Sequence, residues 1–183
     1  LAMSYYNQGD YITASHYFTS YYNTYPNGTY TELARFHSGK ALFLDTPEPR
    51  LDQSSTFSAI SELQMFMEYF PASKRKTEAQ QMIFELQDKL VMKDYLTAKL
   101  YYDLGTYTGN ASYTADMRIN GNNFLACITT AQNALKDYPY TSMREDISIL
   151  LLRAKHKLGS ESVLEKKEER MRETIDEYYA FKN

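Results

Sequence analysis

Three prolines in this chain share one helical spacing of small and apolar residues behind them. Each follows an aromatic residue: Tyr25-Pro26, Phe70-Pro71 and Tyr138-Pro139. Twelve positions before the proline stand Ala14, Ala59 and Cys127; eight before stand Phe18, Leu63 and Ala131; four before stand Tyr22, Met67 and Leu135. Steps of four place these side chains on one stripe of a helix, with the small residue where a second helix crosses closely. The proline cannot continue the helix and ends it. Recurrence of this kind is the mark of stacked supersecondary units, none of which buries its apolar face alone.

A second string recurs ahead of that helix. Tyr5-Tyr6-Asn7-Gln8-Gly9-Asp10-Tyr11 matches Tyr101-Tyr102-Asp103-Leu104-Gly105-Thr106-Tyr107 at both leading tyrosines, the glycine and the last tyrosine. A glycine at that place turns the chain between two antiparallel helices. Composition agrees with long helices: 7 glycines and 5 prolines are too few for the turns of a many-stranded sandwich or barrel.

Four helix pairs follow: 1–8 with 11–25, 29–44 with 55–70, 74–104 with 121–138, and 142–158 with 162–182. Thr29-x-x-Glu32, Ser142-x-x-Glu145 and Ser162-x-x-Glu165 read as capping boxes, and Ser73 as the cap of a helix starting at Lys74. From Lys74 to Leu104 no glycine or proline intervenes, so this is one long helix; Lys93-Asp94 is the place for a break, if there is one. Between the two helices of the second pair lies an acidic proline loop, Asp45 to Arg50, and between those of the third an insertion over 108–122 carrying Gly109, Asn110, Asn120 and Gly121. As a whole the chain reads as one repeat array with units 1–26, 29–71, 74–139 and 142–183.

The pattern Tyr-x-x-x-Gly-x-Tyr-x-x-Ala-x-x-x-Phe, closed by Pro26, resembles the tetratricopeptide repeat. The expected fold is therefore all-α, a tetratricopeptide-like right-handed superhelix of antiparallel helix pairs. The closer resemblance is to the BamD family of outer-membrane protein assembly lipoproteins. It lies in the helix ends Phe70-Pro71-Ala72-Ser73 and Asp137-Tyr138-Pro139-Tyr140-Thr141, and in the long helix Phe84-Glu85-Leu86-Gln87-Asp88-Lys89-Leu90 running on to Ala98-x-x-Tyr101-Tyr102. It covers nearly the whole chain.

That resemblance implies a non-enzymatic scaffold lipid-anchored at the periplasmic face of the outer membrane. The C-terminal repeats would hold the periplasmic domain of the barrel-assembly protein, and the N-terminal repeats an extended segment of an unfolded barrel substrate. Stacked helix pairs suit that task, because they offer a long surface for extended chains. Family members look like five repeats behind a lipidated N-terminal cysteine. By that measure the chain is truncated at both ends, and the lipid anchor lies outside it; Cys127, inside a helix, is not the lipidation site.

Other chemistry finds little support. Net charge is −3, from 20 basic and 23 acidic residues, which gives no overall basic footprint for nucleic acid. The single Cys127 excludes an internal disulfide and a cysteine zinc cluster. His16, His37 and His156 are scattered, without metal-ligand spacing, and no catalytic constellation or cofactor loop is present. The carboxylates from Glu165 to Glu177 share a helix with lysines and arginines and read as a solvated face. No apolar run is long enough to span a membrane.

Candidate protein-binding residues are few. Tyr5, Tyr11, Tyr25, Tyr101, Tyr107 and Tyr138 hold repeat positions and are expected in the core; Tyr6 and Tyr102, one step on, would face the groove or pack between helices. Lys74, Arg75 and Lys76 put three cations at a helix N-terminus, against the macrodipole, as solvated surface or as an acidic docking patch. Arg144, Arg153, Lys155 and Lys157 form a second basic cluster, in which Arg153 and Lys157 share a helix face. Two further readings stay open: another periplasmic tetratricopeptide adaptor, and a glycan-binding outer-membrane lipoprotein that uses the tyrosines.

Overall fold

The computed structural model describes residues 1–106 and 123–182. Among these the protein is all-α, with eight helices and no strand: α1 Ala2–Asn7, α2 Tyr11–Thr24, α3 Thr31–Leu44, α4 Ser54–Tyr69, α5 Lys76–Leu104, α6 Asn123–Asp137, α7 Arg144–Ser160 and α8 Leu164–Lys182. This is the expected fold class. α5 is one helix, unbroken at Lys93-Asp94. The insertion at 108–122 and Tyr107 lie outside the described residues.

Each aromatic–proline pair makes the same joint. The aromatic carbonyl accepts a hydrogen bond from the third residue on: Tyr25 from Gly28 at 3.0 Å, Phe70 from Ser73 at 3.0 Å, Tyr138 from Thr141 at 3.2 Å. That residue's own carbonyl then accepts from the third residue beyond it, Thr31 at 3.1 Å, Lys76 at 3.2 Å and Arg144 at 3.4 Å, and there the next helix begins. Two consecutive turns thus carry the chain from one helix to the next, pairing some of the backbone groups that lie at the helix ends.

These joints correct the expected capping boxes. The N-caps of α3 and α7 are Tyr30 and Met143, one residue beyond Thr29 and Ser142, and neither makes a side-chain cap. The second turn occupies the place where the capping hydroxyl was expected. Hydroxyls bond within the joint instead: Ser73 Oγ accepts from the Arg75 amide at 3.1 Å, and Thr141 Oγ1 from the Met143 amide at 3.2 Å. Ser162 donates its hydroxyl to the Leu158 carbonyl and accepts from Arg170.

Gly9 and Gly105 follow the two tyrosine pairs with φ of +81° and +53°, the left-handed turn that the repeated string requires. After Gly9, Asp10 caps α2 by accepting from the Thr13 amide at 3.1 Å. After Gly105, the carbonyl accepts from the Asn123 amide at 3.2 Å, so α6 starts beside the glycine.

By their internal contacts the residues form two compact units, Leu1–Leu90 and Val91–Asn183. The first unit holds two apolar clusters. Ala14, Phe18, Tyr22, Ala34 and Ala41 join α2 and α3, with α1 tyrosines against them. Phe36, Ala59, Leu63, Phe66, Ala79, Met82, Ile83 and Leu86 join α3, α4 and the first part of α5. A polar line links α2 to α3: the Ser15 and Thr19 hydroxyls each lie 3.1 Å from that of Ser38, and Tyr22 reaches Thr19 at 3.3 Å. Gly39 permits α3 and α4 to cross closely, since a Cβ there would fall 2.7 Å from Leu63 Cδ2. The proline loop is pinned from inside by Gln53, which donates to the Glu48 and Leu51 carbonyls and accepts from Thr56.

In the second unit one cluster runs through Val91, Ala98, Phe124, Cys127, Ile128, Ala131 and Ala134 to Ile147, Leu150, Leu151, Ala154 and Leu158. The predicted crossing residues Ala14, Ala59 and Cys127 are all completely buried. Tyr25, expected in the core, is instead 57% exposed. Its carbonyl does the work at that position, accepting from the Gly28 amide and, at 2.5 Å, from the Thr31 hydroxyl, while its ring lies beside Tyr21 at the surface. Tyr5, Tyr11, Tyr101 and Tyr138 pack against the clusters as expected.

Candidate functional site

α7 presents two faces. Ile147, Leu150, Leu151, Ala154 and Leu158 enter the core. One step round the helix, Leu152, Arg153, His156 and Lys157 line a cavity of about 430 Å³. α8 supplies the facing wall with Met171, Thr174, Ile175 and Tyr178, a stripe at helical spacing, and Tyr102 from the last turn of α5 completes it. The Tyr102 ring is fixed edge-on to Phe124, centroids 5.8 Å apart.

The floor of this cavity is apolar and its charged lining residues are cations. Among the described residues no carboxylate lines it. Arg153 and Lys157 are exposed, and neither has an ion-pair partner among the described residues. Lys155, on the opposite flank of α7, is different: its Nζ lies 2.6 Å from Glu177 Oε2, and both groups are largely buried. The basic cluster read from the sequence therefore divides, with Lys155 neutralised against α8 and Arg153 and Lys157 left at the rim.

The other candidate residues are elsewhere. Arg144 is exposed at the start of α7 and donates to the Pro139 carbonyl at 3.1 Å. In the first unit, Lys74 and Lys76 are exposed, while Arg75 pairs with Glu32 at 3.6 Å and lies 5.7 Å from the Phe36 ring. Glu32, in the first turn of α3, also accepts from the Ser73 hydroxyl at 2.6 Å, so the cations at the α5 start are partly balanced by a neighbouring helix. Tyr6 is wedged edge-on between Tyr11 and His37, and burial raises its hydroxyl pKa. Of the eight candidates, the fold brings Tyr102, Arg153 and Lys157 to one cavity.

Sequence reading missed the α8 wall. Met171, Thr174, Ile175 and Tyr178 have the spacing of a buried stripe, but the sequence reading assigns only the charged face of that helix, as solvated. His156 was weighed only as a metal ligand. Among the described residues no group of three His, Cys, Asp or Glu side chains is arranged to hold a metal ion.

The first unit has its own cavity, of about 520 Å³, lined by α1, α2 and α3 through Met3, Tyr17, Phe18, Tyr21, Tyr30 and Leu33 among others. Among the described residues its lining side chains are apolar or tyrosine, and none is charged.

No helix among the described residues is long and apolar enough to cross a membrane. Nothing among curated proteins matches the chain. The family profile named YfiO, described as outer membrane lipoprotein, matches residues 1–171. With that extent matched, and with the helix pairs in place, the chain belongs to the YfiO family of outer membrane lipoproteins.

Proposed function

We propose that the protein is a non-enzymatic scaffold of the outer-membrane β-barrel assembly machinery, acting at the periplasmic face. In this reading the second unit holds the periplasmic domain of the barrel-assembly protein. The first unit receives an extended segment of an unfolded barrel substrate. The observation that carries it is the family match over residues 1–171. Two features fit alongside. Helix pairs with open apolar cavities suit docking of other chains. The cationic rim of the second-unit cavity suits orientation of a partner by charge.

The test is co-purification and titration with the periplasmic domain of the barrel-assembly protein. The expected result is a stoichiometric complex that Val91–Asn183 residues dominate when mapped by crosslinking. No complex at any salt concentration would sink the reading and leave another periplasmic adaptor as its successor. A glycan-binding lipoprotein is the competing reading, favoured by Tyr17, Tyr21 and Tyr30 around the first cavity. Saturable binding of cell-envelope glycan fragments, abolished by Tyr17→Ala, would establish it.

A further inference from the structure

Among the described residues the α7–α8 cavity combines three things: an apolar floor, two exposed cations without ion-pair partners, and no carboxylate in its lining. We propose that it is a docking site for an acidic amphipathic segment of a partner protein, which seats one aromatic or aliphatic side chain in the cavity and lays carboxylates on Arg153 and Lys157. This rests on the scaffold reading for the partner's being a protein, and goes beyond it in stating what that partner must present.

The geometry sets the ligand's form. Arg153 and Lys157 are four apart on α7, so their side chains rise from one face about one helical turn apart. Carboxylates one turn apart on a docked segment match that spacing. Leu152, Met171, Ile175 and the rings of Tyr102 and Tyr178 supply an apolar recess large enough for a single bulky side chain. Ile175 and Tyr178 are both exposed, so this recess is open to an incoming group. The distribution of ion pairs argues the same way. Lys155 on the inner flank is matched with Glu177 at 2.6 Å, whereas among the described residues the lining of the cavity provides no acid for the two rim cations. The local positive charge stands on a chain of net charge −3, so it concentrates a negatively charged partner at this place rather than over the whole surface. A bilayer surface fits less well: lipid headgroups are held by clusters of roughly four to eight basic residues, and a recessed pocket meets a side chain better than a flat membrane.

Fluorescence anisotropy of a labelled, helix-forming synthetic peptide with glutamates four apart and one phenylalanine between them tests this. Two control peptides replace the glutamates by glutamine or the phenylalanine by serine. Arg153→Glu/Lys157→Glu and Ile175→Ser are the protein variants, all at exposed positions, with circular dichroism to show that they fold. At about 50 mM salt, where the Debye length is roughly 14 Å, the parent should prefer the first peptide to either control by about tenfold or more. The charge reversal should weaken that binding about as much, with a loss that shrinks as salt rises; the serine variant should weaken it without salt dependence. Equal binding of the three peptides, unchanged binding by both variants, or binding of phosphatidylglycerol vesicles in place of the peptide would overturn the proposal. Preference for the acidic peptide, with no retention of the barrel-assembly domain, would uphold the cavity's chemistry and remove the scaffold reading. Retention of that domain, unaltered in both variants, would do the reverse.

Discussion

Tyr22 donates its hydroxyl to Glu62 at 2.6 Å, tying α2 to α4 across α3. Arg35 lies over the Tyr22 ring at 4.1 Å and over the Tyr69 ring at 4.0 Å, so one guanidinium is held between two aromatic faces beside that bond. Burial and the Glu62 bond together raise the Tyr22 pKa. A hydrogen bond to a charged acceptor in a partly buried site contributes about 1.5–3 kcal/mol. Tyr22→Phe should therefore lower stability by about that amount in urea denaturation. A double-mutant cycle with Glu62→Gln should show coupling between the two sites; strict additivity would mean that the bond contributes nothing.

Ala59 is completely buried where α4 packs with α3 and α5, in the cluster that includes Leu63 and Phe66. Ala14 has the same place in the cluster of α2 and α3. Leucine at either position overpacks the crossing and should cost about 1–3 kcal/mol. Thermal melts of the two single variants check this, and unchanged midpoints would show that these crossings can open without strain.

Burial pushes the Cys127 thiol up to about 11, with the nearby Asp103 charge adding to it. A raised acid pKa means that the native state keeps its proton where the unfolded chain has lost it. From about pH 9 to about pH 11 stability should fall as pH rises, and Cys127→Ala should remove that part of the slope. The buried thiol should also resist disulfide exchange reagents at pH 8, reacting only as fast as the second unit opens. Immediate stoichiometric labelling would contradict this.

His37 sits among the Tyr6, Phe18 and Phe36 rings, and its Nδ1 is buried without a hydrogen-bond partner among the described residues. Burial lowers its pKa most, and the Lys40 and Arg75 charges lower it further against an opposing contribution from Glu78. The imidazole stays neutral in the native state while the unfolded chain takes up a proton below the ordinary histidine value of about 6.5. Stability should therefore decline as pH falls through that value, and His37→Phe should flatten the profile between about pH 7 and 5. An identical slope in parent and variant would assign the acid sensitivity to other groups.

How much of this was legible in sequence follows from where information lies. The crossing residues Ala14, Ala59 and Cys127 were legible because close helix packing demands a small side chain at a fixed distance from the helix end. Gly9 and Gly105 were legible because a positive φ leaves few alternatives. The capping boxes failed because the hydroxyl pattern that caps a helix also stabilises a turn, and sequence alone does not say which backbone amide it meets. Tyr25 failed because the repeat position is held by its carbonyl, a group every residue has. The α8 wall was hidden by composition: Thr174 is buried and Ile175 and Tyr178 line the cavity, yet they are interleaved with Glu173, Asp176 and Glu177. Arg153 and Lys157 could be placed on one face from their spacing, but that Tyr102 joins them depends on contacts far apart in the chain.

The joint after each aromatic–proline pair has a consequence for how such a chain can change over time. It closes on itself through its own backbone: one helix ends on the aromatic carbonyl's acceptor bond, and the next begins six residues later with its entry already arranged. A duplication or deletion whose endpoints fall at matching places in these joints would leave the two turns of each joint intact. Recombination there would test mainly the fit of side-chain stripes, in which each unit brings its own small crossing residue, Ala14, Ala59 or Cys127. Lengthening or shortening by whole units is thus the mutational route this architecture opens most readily.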